Sequence, residues 1–114
     1  MTISSKLKEL ETFIKKNPSG SFIEVNNNSI QLAKNLIEYL DDWDYDYFRD
    51  YTFGIDPDGS ITMEWYISTT RLLSISLGEN VIHYAGLFGT ETVSGVIPYK
   101  NTFPSTLVYF IEKL

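Results

Sequence analysis

The chain contains no cysteine, which excludes disulfides, thiolate metal sites and a cysteine nucleophile, and fits a reducing cytoplasm. It has a single histidine, His83, so an acid–base pair of two imidazoles is impossible. Only 9 basic residues stand against 15 acidic ones. A chain this poor in positive charge has little surface for phosphates, and nucleic acid is not an expected partner. No run approaches the ~20 apolar residues that span a bilayer. The opening MTISSKLKELE is charged and amphipathic where a secretory leader is apolar. The 7 glycines form no phosphate-binding loop, and no serine stands in a nucleophile motif. The expectation from these absences is a cytoplasmic, acidic protein that is not an enzyme, holds no cofactor or metal, and binds neither nucleic acid nor membrane.

What is present is concentrated. The thirteen residues from Glu38 to Asp50 read EYLDDWDYDYFRD. Six of them are carboxylates, Glu38, Asp41, Asp42, Asp44, Asp46 and Asp50, and Arg49 is the one base. This stretch therefore carries −5 of the chain's formal −6, and the remaining 101 residues are close to neutral. Tyr39, Trp43, Tyr45, Tyr47 and Phe48 are interleaved with the acids. A local negative field with large aromatic anchors suits a basic protein partner. The candidate partner-binding residues are Asp41, Asp42, Trp43, Asp44, Tyr45, Asp46, Tyr47 and Asp50. The competing reading is a solvated helix end whose aromatics tuck into the core.

At 114 residues with 43% hydrophobic and 15% aromatic content, the chain can build one core without staples, and a single domain over 1–114 is expected. Ile3, Leu7, Leu10 and Ile14 recur at helical spacing, with Phe13 widening the stripe. Asn17-Pro18 ends that helix. Phe22, Ile23 and Val25 form a short extended piece. Asn28 or Ser29 caps a second helix lined by Ile30, Ala33, Ile37 and Leu40, with Leu36 and Trp43 beside that face. Asp41 and Asp42 would then lie at its C-terminus, where the helix dipole disfavours anions.

After Asp50 the pattern becomes alternation and tight turns. A strand over Tyr51–Ile55 is followed by Asp56-Pro57-Asp58-Gly59, a strong turn signal. Ile61, Met63, Trp65 and Ile67 alternate with Thr62, Glu64, Tyr66 and Ser68; Leu73, Ile75 and Leu77 alternate with Ser74 and Ser76. Gly78-Glu79-Asn80 turns into a strand over Val81–Phe88. A Gly/Thr-rich loop over Gly89–Thr92 leads to a weaker strand near Val93–Ile97. Pro104 opens a final helix with Leu107, Phe110, Ile111 and Leu114 on one stripe. The predicted class is α+β: N-terminal helices, an antiparallel four- to five-stranded meander, and a C-terminal helix packed on the sheet. Most of Tyr51, Trp65, Tyr66, Tyr84 and Tyr99 are expected in the core.

Two other chemistries have partial signals in the sequence. Asp42, Asp44 and Asp46 have the one-three-five spacing of a calcium loop, but the sixth position is Tyr47 and the twelfth is Phe53, where Gly and Glu are required. His83 and Glu64 are the candidate acid–base residues of a small enzyme, and His83, lying in an apolar strand, is expected to be half-buried.

From Tyr51 onward the sequence resembles a type of small bacterial α+β protein. Asp56-Pro57-Asp58-Gly59-Ser60-Ile61 leads to Glu64-Trp65, then to the strand Leu73-Ser74-Ile75-Ser76, a glycine turn, Ile82-His83-Tyr84-Ala85 and a proline-started helix. Acidic proteins of this size and pattern are similar to the immunity proteins of contact-dependent growth inhibition systems. The resemblance implies a cytoplasmic inhibitor that binds and neutralises a cognate toxin domain, the C-terminal domain of a large secreted protein. That domain is often a nuclease, here an RNase by expectation. No catalytic residues carry over. The alternative is a non-catalytic adaptor or chaperone-like module that binds a basic host protein.

Overall fold

The computed structural model describes residues 5–16, 25–41 and 50–114. Two helices, α1 (Ser5–Lys16) and α2 (Asn27–Asp41), precede five strands and a closing helix, α3 (Ser105–Lys113). The strands are β1 (Thr52–Ile55), β2 (Ile61–Ser68), β3 (Arg71–Leu77), β4 (Val81–Phe88) and β5 (Glu91–Pro98). They lie in the order β1-β2-β3-β4-β5, every neighbour antiparallel. This is the α+β meander that alternation and short turns require, with the fifth strand fully formed.

The pleat sorts the residues by face. Met63, Ile75 and Tyr84 lie opposite one another along one row, as do Ile61, Leu77 and Ile82. Ile61, Met63, Trp65, Leu73, Ile75, Leu77 and Ile82 are essentially inaccessible. Each such side chain contributes about 1.5–3 kcal/mol on burial. The helices cover this face. Phe13 of α1 packs on Phe53 of β1, and Phe110 of α3 packs on Tyr84 and Phe88 of β4. Between them α2 buries Leu32, Ala33, Leu36, Ile37 and Leu40. The opposite face carries Thr52, Thr62, Glu64, Ser74, Ser76 and His83, and no described helix lies on it.

Turn chemistry fixes the register. In the first hairpin the Gly59 N–H donates to the Asp56 carbonyl and the Asp56 N–H to the Ser60 carbonyl, both at 2.9 Å. Gly59 has φ 89°, a conformation that costs a Cβ-bearing residue strain. The Ser60 N–H donates to Asp58 Oδ1 at 2.9 Å, which holds that carboxyl below its usual range. Gly95 has a different reason. A Cβ there would lie 2.6–2.9 Å from the hydroxyl and ring of Tyr84, its partner across the ladder.

Several expectations are corrected. The cap of α2 is Asn26, whose Oδ1 accepts from the N–H groups of Asn28 (2.8 Å) and Ser29 (3.4 Å). Ser29 is instead buried, and its Oγ accepts the Ile61 N–H at 2.7 Å, joining α2 to the first residue of β2. Ile67 does not continue the inward stripe of β2. A register shift between Tyr66 and Ser68 leaves it 50% exposed, because a bulge moves the alternation to the other phase. His83 is exposed, since it lies on the uncovered face. The Gly/Thr-rich loop contracts to the two residues between Phe88 and Glu91. Ile3, Asn17, Pro18, Phe22, Ile23 and Trp43 lie outside the described residues.

Candidate partner-binding groove

The last turn of α2 carries Glu38, Tyr39 and Asp41, and no basic residue. Leu36, Ile37 and Leu40 bury the inner side of this turn, which leaves Glu38 and Tyr39 exposed. Among the described residues, neither Glu38 nor Asp41 has an ion-pair partner. Carboxylates unneutralised at the negative end of a helix dipole are locally unfavourable by about 0.3–1 kcal/mol each.

Beside this turn lies a groove of about 400 Å³ lined by Asn35, Glu38, Tyr39, Tyr99 and Asn101. It runs into a second hollow of about 220 Å³ that shares Asn35, Tyr99 and Asn101 and adds Asn28, Gln31, Leu32 and Asn80. The segment after β5 closes one wall, because the Tyr39 hydroxyl donates to the Asn101 carbonyl. Among the described residues, Asn80 and Asn101, at φ 59° and 61°, are the non-glycine residues in the left-handed region; asparagine tolerates it because its short amide bonds locally. Gln31 Nε2 donates to Asn35 Oδ1 at 3.1 Å. The Tyr99 phenol is held above its ordinary pKa, chiefly by burial, with further contributions from Tyr39 and the negative charge of Glu38 outweighing the Asn35 hydrogen bond. The groove thus offers amide dipoles, two phenols and one carboxylate. Such a surface accepts donors and cations and repels anions.

Tyr51, the residue after Asp50, is buried and touches Phe53 and Trp65. Its hydroxyl has no partner among the described residues, and burial, with Asp41 and Glu9 nearby, raises its pKa strongly. Lys6 Nζ donates to the Tyr51 carbonyl at 2.7 Å, lies 4.7 Å from the Tyr51 ring centre and pairs with Glu9 at 3.0 Å.

Of the candidate binding residues, Asp41 ends α2 half-buried and Asp50 is exposed before β1. Asp42, Trp43, Asp44, Tyr45, Asp46 and Tyr47 lie outside the described residues, as does the calcium-spaced triad. Sequence reasoning missed Asn35, Tyr99 and Asn101 as groove residues. Tyr99 is half-buried and packs against the core while also lining the groove. Asn35 shares the polar face of α2 with Gln31 and Glu38, and nothing in the local sequence marks it as a groove residue. Glu64 and His83 sit on different strands of the open face with β3 between them, and neither lines these hollows.

The chain matches no family model, no curated protein and no solved structure. Among the described residues no helix is long and apolar enough to cross a membrane.

Proposed function

We propose that this chain is an immunity protein that binds and neutralises a basic toxin domain, with the acidic stretch from Glu38 to Asp50 as its main contact. The observation that carries this reading is the end of α2. There Glu38 and Asp41 have no ion-pair partner among the described residues, and Glu38 and Tyr39 line a groove of amides and phenols. A nuclease presents a cationic cleft to its phosphates, and an inhibitor with a concentrated negative field enters the same cleft and associates quickly. Tyrosines and tryptophan supply the rigid apolar area that anchors such contacts.

The test uses the intact chain and the product of the gene immediately upstream, purified together and then titrated. Tight binding is expected, with an association rate that falls steeply as salt rises. Changing Asp41, Asp42, Asp44 and Asp46 together to Asn should slow association roughly tenfold or more at low salt. If affinity and salt dependence both survive that change, the acidic stretch is not the interface.

A further inference from the structure

We infer that β5 is a self-pairing edge, and that two copies of this chain join antiparallel along it into one continuous ten-stranded sheet. The hydrogen-bond phase of β5 follows from its C-terminal end. The Tyr99 N–H donates to the Asn80 carbonyl at 2.8 Å, and the register pairs Ile97 with Ile82, Gly95 with Tyr84 and Val93 with Gly86. Bonded and non-bonded pairs alternate along an antiparallel ladder. Residues 91, 93, 95 and 97 therefore direct their backbone groups to β4, while Thr92, Ser94 and Val96 direct theirs outward. Pro98 falls on the outward phase, where its missing N–H costs the ladder nothing.

The two edges of the sheet are treated differently. β1 is four residues long, and Lys6 occupies the carbonyl of Tyr51 just before it. β5 is eight residues long and has none of the usual guards between Thr92 and Ile97: no charge, no proline, no bulge. Its one charged residue, Glu91, is engaged by Lys113 at 3.1 Å. Two of the most exposed large apolar side chains, Val96 at 56% and Tyr109 at 59%, belong to β5 and to the helix that follows it.

A second copy is the occupant this edge fits. Pairing centred on Ser94 sets Ser94 opposite its own copy and Thr92 opposite Val96, so three residues per chain exchange both bonds in an isologous contact. No charge meets a like charge along that contact. The net charge of −6 favours the antiparallel sense, because each acidic groove sits beyond the C-terminal end of β5. Antiparallel pairing sends the two grooves to opposite ends, roughly 35 Å apart at ~3.4 Å per residue, several screening lengths at physiological salt.

Sedimentation of the intact chain tests this directly, and a concentration-dependent dimer is expected. Because the chain lacks cysteine, one introduced thiol reports the register. Ser94→Cys should link copies readily under mild oxidation, since opposed bonded residues stand ~5.5 Å apart at Cα, within disulfide reach. Val96→Cys, opposite Thr92, should not. Ser94→Pro removes one outward N–H per copy and should weaken the dimer roughly thirtyfold while leaving the ladder to β4 whole. Ser94→Lys, which sets like charges face to face without restricting the backbone, should weaken it about fivefold. A wild-type chain that sediments as a monomer up to its solubility limit, or equal cross-linking at positions 94 and 96, overturns the inference.

Discussion

The two faces of the sheet are built from the same strands, yet one is a core and the other is a surface. On the covered face Trp65, Leu73, Ile75 and Leu77 are inaccessible. One pleat away, Thr62, Glu64, Ser74 and Ser76 are only half-buried. Along the central strands the difference is one of phase: a side chain's free-energy role is decided by whether its position is odd or even. The candidate groove belongs to neither face. It lies where α2 meets the chain leaving β5, where a side chain can stand proud of the core and still be held by it.

The comparison predicts a ladder of effects. Trp65→Ala on the covered face should cost about 3–5 kcal/mol, read from denaturant midpoints at constant slope. A loss below about 1 kcal/mol would mean that this face is not sealed around Trp65. Ser29→Ala tests the polar tie within the core. It leaves the buried Ile61 N–H without an acceptor, and a cost of about 1–3 kcal/mol is expected, with amide exchange at Ile61 accelerated. His83→Gln on the open face should shift stability by no more than about 0.5 kcal/mol in either direction. A larger loss would show that the open face is organised rather than merely solvated.

Much of this was legible in the residues. Alternation from Ile61 to Leu77 gave the strand faces, and Asp56-Pro57-Asp58-Gly59 gave the first hairpin, because both rest on rules that act within a few residues. The failures share a cause. Ile67 follows the apolar alternation in sequence, but a bulge set by the β2–β3 pairing turns it outward. Asn26 takes the cap in place of Asn28 or Ser29, and the Ser29 hydroxyl is claimed by Ile61, thirty-two residues away. The apolar neighbours of His83 in sequence point to partial burial, whereas its strand phase decides its exposure. The groove was legible only at its acidic rim. Asn35, Tyr99 and Asn101 come from three separate segments, and no local pattern brings them together.

The order of the strands bears on how the chain reaches this state. Each strand pairs with the one just before it in the sequence, so every ladder closes through a short loop, and the entropy of closing a loop grows with its length. The hairpins can zip in succession, in the regime where local topology makes folding fast. The distant closures are those that bring α1 and α2 onto the finished sheet, including the Ser29–Ile61 bond. During synthesis α2 leaves the ribosome before any strand exists to receive it, with Leu32, Leu36 and Leu40 uncovered until β2 and β3 follow. The acidic stretch emerges directly behind that apolar stripe, so the nascent segment most prone to stick to a neighbour carries its own electrostatic repulsion.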